Sequence, residues 1–166
     1  MHKIEIHSIK SIETRSMLPF EPNTILISMG DTGAEPPKLQ HKPDYILRLI
    51  FDDITLQEIR EEFKLPESLV SSDEDLINFL KAYDTNIFSD KQAQDIAEFV
   101  FKHNHSDSVL ICQCHYGQSR SAGCAAAISE YFYGNGIDFF ADDSYYPNKL
   151  VFRKVLKALE EYESAQ

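Results

Sequence analysis

The sequence predicts an α/β fold: a central, mostly parallel sheet of about four to five strands flanked by helices. Three observations carry this. Apolar runs at residues 24–29, 45–51 and 109–112 are short enough for strands. Longer stretches with helical spacing lie between and after them, most clearly at 90–102. Strands that alternate with helices pair in parallel through right-handed crossovers. At 166 residues, one domain spanning 1–166 has enough chain to bury a single core.

Taken in order, Ile4 and Ile6 alternate with polar neighbours in a first short strand, and residues 8–17 follow as a brief helix. Residues 24–29 read as a buried strand that ends in the turn Gly30-Asp31-Thr32-Gly33. That turn lacks the lysine and the spacing of a nucleotide-binding loop. Pro36, Pro37 and Pro43 mark a loop before the strand at 45–51, where Leu47, Leu49 and Phe51 share one face. Residues 54–84 form a helical insertion, with helices expected at 56–63 and, from the Ser72/Asp75 N-cap pattern, at 72–83. In the helix at 90–102, Ala93, Ile96, Ala97, Val100 and Phe101 make the apolar stripe. A strand at 109–112, a loop, and a small-residue helix at 122–131 come next, stopped by Gly134-Asn135-Gly136. A last helix opens near Pro147-Asn148 and turns Leu150, Val155, Leu156, Leu159 and Tyr162 inward.

The loop between the strand at 109–112 and its helix is the segment richest in chemistry: Cys114-His115-Tyr116-Gly117-Gln118-Ser119-Arg120-Ser121. A strand, a tight loop and a helix N-terminus turn successive backbone N–H groups toward a common point, where an anion is held by amides and the helix dipole. A cysteine in that positive potential is favoured as thiolate. An arginine at the end of the loop offers a planar fork for two phosphate oxygens. Nucleophile, oxyanion cradle and cationic clamp thus fall within eight residues. In parallel sheets ligands sit at the carboxyl ends of strands, where Cys114 lies.

Composition narrows the partners. A net charge of −11 argues against a nucleic-acid binder, which needs a basic face to displace counterions. No apolar run approaches the roughly 20 residues of a membrane span, and the first residues lack a secretory apolar core. Three cysteines do not make a disulfide framework. The expectation is a cytoplasmic, reduced setting without membrane or nucleic-acid partners; oligomeric state is left open.

The loop resembles that of the cysteine-dependent protein phosphatases, specifically the compact dual-specificity and predicted bacterial tyrosine-phosphatase group. It carries their pattern of cysteine, five residues, arginine and serine. Tyr45-Ile46-Leu47-Arg48-Leu49-Ile50-Phe51-Asp52-Asp53 is similar to their strand that delivers a general-acid aspartate. Residues 89–100 resemble the helix before the catalytic strand. Pro147-Asn148 with 151–162 resembles the closing helix, whose asparagine braces the phosphate loop. The likeness covers most of residues 24–163. It implies a protein tyrosine phosphatase-like sheet, no cofactor or metal, and hydrolysis of phosphate monoesters, phosphotyrosine or mixed, through a cysteinyl-phosphate. Three departures stand out. Gln113 replaces the usual histidine before the nucleophile, Tyr116 stands where a small residue is common, and 54–84 replaces a short connection.

Under that resemblance Cys114 attacks phosphorus, while Arg120 and the amides of His115, Tyr116, Gly117, Gln118, Ser119 and Arg120 bind the phosphate. Ser121 hydrogen-bonds the sulfur, or caps the helix instead. The general acid is Asp53, Asp52 or Asp84; strand alternation favours Asp53. Cys112 is read as alternating away from Cys114, a core thiol, and either Cys112 or Cys124 is a candidate resolving cysteine. His103 and His105 with Cys112 and Cys114 offer metal-ligand types, but their spacing fits no common zinc framework. Two other readings use the same residues: a catalytically silent phosphopeptide-binding module, and a sulfurtransferase or arsenate reductase with a cysteine anion loop.

Overall fold

The computed structural model describes residues 1–65, 72–81 and 85–165. Four strands form one all-parallel sheet in the order β1-β4-β2-β3: β1 Lys3–His7, β2 Thr24–Gly30, β3 Tyr45–Ile50 and β4 Val109–Gln113. The helices are α1 Ile9–Arg15, α2 Leu56–Glu62, α3 Asp73–Leu80, α4 Asp90–His103, α5 Arg120–Tyr133, α6 Ile137–Ala141 and α7 Lys149–Ser164. The protein is an α/β fold, as the alternating pattern predicts. Short α6, just past the stop at Gly134, is an addition the sequence pattern did not suggest.

Both central strands are buried along their whole length, the signature of a parallel sheet covered on both faces. Laterally paired residues share a face, so the register sorts the core. Ile25 lies beside Leu110 and Ile27 beside Cys112; this face packs against α4, α5 and α7 in the main cluster. Leu26 beside Ile111 faces the other way, with Ile12 of α1. Leu49 and Phe51 are buried in the main cluster and Leu47 packs against it, as alternation requires. Helix α5 lies deep, and its alanines let it pass close to α7.

Helix starts follow side-chain chemistry. Ser8, Ser72 and Ser89 each accept from the N3 amide, while the N3 side chain returns the bond: three capping boxes. In the 54–84 segment, Ile59 and Leu80 bury together with Leu150 of α7 in a satellite cluster. All strands run in parallel, so the loops after β2, β3 and β4 gather at one end of the sheet. That end is where a ligand site belongs.

Candidate active site

The loop after β4 is anchored through its carbonyls. Gln113 Nε2 donates to Cys114 O (2.8 Å), and Ile9 N donates to His115 O (3.1 Å). Tyr146 N donates to Gln118 O (2.9 Å), while Asn148 N (3.1 Å) and Gly123 N (2.8 Å) donate to Ser119 O. In a trans peptide the following N–H points opposite to the carbonyl. The amides of His115, Tyr116, Ser119 and Arg120 therefore turn away from these anchors, into the concave side of the loop. Among the described residues, none of the amides of 115–120 donates to a protein acceptor. They end on the N-terminus of the 14-residue α5, whose dipole adds positive potential there.

Gly117 is required by two facts at once: its φ is +72°, and a Cβ would sit 2.6 Å from Ser8 N. The loop thus lies directly on the β1–α1 junction, and Cys114 N donates to His7 O (3.2 Å). Gly123 lets α5 approach the Asn148 backbone, where a Cβ would stand 2.5 Å from Asn148 O.

Cys114 is 1% exposed, at the bottom of the loop. Its Sγ lies 3.1 Å from Ser121 Oγ, so Ser121 faces the sulfur; the helix has no side-chain N-cap bond at all. Ser119, at the N-cap position, instead donates to Asp53 Oδ1 (2.8 Å).

Arg120 is 2% exposed and heavily engaged. Its Nη1 donates to Phe51 O (2.7 Å) and pairs with Asp31 Oδ1 (2.9 Å). Its buried Nε–H meets no hydrogen-bond acceptor among the described residues, Asp53 Oδ2 standing off at 3.7 Å. Asn148 closes the arrangement. Its side-chain amide donates to Asp53 Oδ1 (3.0 Å) and Ile54 O (3.2 Å), and its Oδ1 caps α7 at Leu150 N and Val151 N.

The neighbouring carboxylates separate cleanly. Asp52 accepts from Thr32 N (3.1 Å) and Asn86 N (3.3 Å), and so ties the ends of β2 and β3 to the approach of α4. Asp53 points to Ser119, Arg120 and Asn148. Asp84 lies outside the described residues. Asp31 at the end of β2 joins the site without having been singled out in the sequence; its one available signal was its place at a strand's carboxyl end. Tyr116 is 74% exposed against His115, so it forms rim rather than floor.

One reading of the cysteines is corrected. Cys112 and Cys114 are two residues apart, so they share a side, and both lie in the main core cluster with Cys124. Cys112 does not alternate away from Cys114. A hydrogen bond with Cys124, then burial, pushes its thiol well above the usual range. His103 stacks on Tyr45 at the opposite end of the sheet, remote from the cysteines. Among the described residues no three His, Cys, Asp or Glu side chains gather as a metal site, and no helix is long and apolar enough to cross a membrane.

No protein-family model and no curated protein matches the chain significantly.

Proposed function

We propose that the chain is a phosphatase that hydrolyses phosphate monoesters through a cysteinyl-phosphate intermediate. One observation carries the reading: the inward-turned amides of His115, Tyr116, Ser119 and Arg120, and the Nε–H of buried Arg120 that meets no acceptor among the described residues, belong to the loop that opens on buried Cys114. A buried donor without an acceptor is rare in proteins, and the Arg120 Nε–H is one, on the same loop as the amides that meet no protein acceptor. A tetrahedral dianion supplies acceptors for all of them.

The steps follow from the positions. Cys114 Sγ attacks phosphorus in line, forming the S–P bond as the P–O bond to the leaving group breaks. Asp53 gives its proton to the departing oxygen. Arg120 and the loop amides hold the equatorial oxygens, whose charge peaks in transit. Asp53, now a carboxylate, takes a proton from water as the water oxygen attacks phosphorus. The S–P bond breaks, Ser121 donates to the departing thiolate, and inorganic phosphate leaves. The charge is balanced by protein groups, so the scheme needs no cofactor or metal.

Phosphotyrosine is the substrate class the site suits best, with dual specificity as the wider assignment. Cys114 lies at the base of a loop rimmed by Tyr116 and Tyr146, 74% and 70% exposed. A long aryl phosphate reaches such a base more readily than a short alkyl one. A phosphorylated protein in a reduced, cytoplasmic setting fits the free cysteines.

The test is phosphate release from p-nitrophenyl phosphate and a phosphotyrosine peptide in EDTA, wild type beside Cys114→Ser. Activity in the first, inhibition by vanadate and loss in the second are expected. Full activity in Cys114→Ser would remove the proposal.

A further inference from the structure

A polar row crosses the sheet at the level where β4 enters the loop. The register sets Arg48 of β3 beside Ser28 of β2, and Ser28 beside Gln113 of β4. The next residues along, Leu26 and Ile111, bury apolar surface with α1. Ser28 and Gln113 are themselves buried, at 2% and 0% exposure.

The three side chains form one chain of bonds. Arg48 Nη1 donates to Ser28 Oγ (2.7 Å), Ser28 Oγ donates to Gln113 Oε1 (2.6 Å), and Gln113 Nε2 donates to Cys114 O (2.8 Å). Guanidinium can only donate and a carbonyl can only accept, so every proton has its direction fixed. Bonds aligned in one sense polarise each other in a low-dielectric interior. Apolar residues would fill this layer without the cost of burying polar groups. What the polar row has that they would lack is its terminus on the Cys114 peptide.

We infer that Arg48, Ser28 and Gln113 are positioning residues for the anion cradle. They hold back the Cys114 carbonyl, so that the same rigid peptide aims the His115 N–H at a phosphate oxygen. The inference rests on the phosphatase reading and extends it to residues on two further strands.

Arg48 is built to anchor the row. It also donates to Glu35 O (3.4 Å), and it occupies the space a Cβ at residue 30 would need. Burial, then the nearby Arg120 charge, depress its pKa, while Asp31 counteracts them. Arg48 thus lies within electrostatic reach of both groups at the site.

Two alkylating agents separate cradle from thiol. Iodoacetate and iodoacetamide attack the same sulfur, but only iodoacetate brings a carboxylate for the amides and Arg120 to hold. The ratio of their inactivation rates reads the cradle without phosphatase turnover. Wild type should prefer iodoacetate relative to a free thiol. In Ser28→Ala the ratio should fall about tenfold, less than the roughly 100-fold lost when an oxyanion donor is removed outright, with the iodoacetamide rate held within about twofold. Arg48→Met should shift the ratio in the same direction; half-buried in the wild type, it carries the test if Ser28→Ala fails to fold. An unchanged ratio in folded variants, or an equal fall with both reagents, overturns the positioning role. A wild type without any preference would instead overturn the cradle, and the relay with it.

Discussion

The loop after β4 and the loop after β3 meet at Arg120, and they are built in opposite ways. The first is local: its anchored carbonyls are tied outward, the amides that follow them turn inward, and its proposed nucleophile, the hydroxyl beside the sulfur and the arginine lie within eight consecutive residues. The second divides adjacent acids between two tasks. Asp52 holds backbone at Thr32 and Asn86, while Asp53 faces Ser119, Arg120 and Asn148. Chemistry concentrated in one turn gains its precision from peptide geometry. Chemistry borrowed from a second loop gains it from long-range bonds, so its parts can be separated by mutation.

The widest separation should come from the β4 loop. Cys114→Ser removes the nucleophile from an otherwise intact cradle, so turnover should drop on the order of 10⁴-fold or more. Vanadate or phosphate should still bind, measured by calorimetry. If binding vanishes together with turnover, the amides and Arg120 do not form a cradle independent of the sulfur.

Arg120→Lys should come next, at about 10²–10³-fold in kcat/KM. A lysine replaces a planar fork with a point charge, and it cannot reproduce the bonds to Phe51 O and Asp31 together with a grip on phosphate. Near-normal turnover would make Arg120 a buried brace between the two loops.

Asp53→Asn tests the β3 loop. Loss of about 10²-fold is expected on phenyl phosphate, whose leaving oxygen needs a proton. Less than about tenfold is expected on substrates whose oxygen departs as a stable anion. The basic limb of the pH–rate profile should disappear with it. Should Asp31→Asn produce that pattern instead, the acid would be the carboxylate on the other side of Arg120.

The same contrast governs what could be read from sequence. The β4 loop was legible because residue types, order and strand-to-helix context sit side by side. Alternation from Leu47, Leu49 and Phe51 placed Asp53 on the site's side, but it could not name its partners, which lie 66 and 95 positions away. Asp31 was hidden in what read as a plain turn. The Arg48–Ser28–Gln113 row needs the strand register, which no single strand encodes. Cys112, two residues from Cys114, lies on the same side of the sheet, as a period of two requires.

Asp52→Asn should give a smaller, different effect: about 1–2 kcal/mol of stability, from weakened bonds between a charged carboxylate and two backbone amides. Turnover should change far less than in Asp53→Asn. A urea midpoint that falls while kcat holds would show that adjacent acids do separate jobs; loss of kcat without loss of stability would merge them.

The smallest effect lies outside both loops and sets the background against which they are judged. Lys154 Nζ of α7 reaches Asp90 Oδ1 of α4 at 2.9 Å, and that hydrogen bond holds the Asp90 carboxyl below its ordinary range. A carboxyl whose pKa is lowered on folding stabilises the protein fully above the unfolded value, near ~3.9. That stabilisation is lost as pH falls through the lower native value. Asp90 is 83% exposed, so solvent screens the pair and Asp90→Asn should cost only about 0.2–1 kcal/mol at pH 7. The gap between wild-type and variant urea midpoints should close as pH falls below the native carboxyl value, and shrink in high salt. In a Lys154→Met background, Asp90→Asn should lose most of its effect. If the cost persists there, the carboxylate acts on the exposed first turn of α4 rather than on Lys154. Turnover should not move in any of these variants, because the pair touches neither loop.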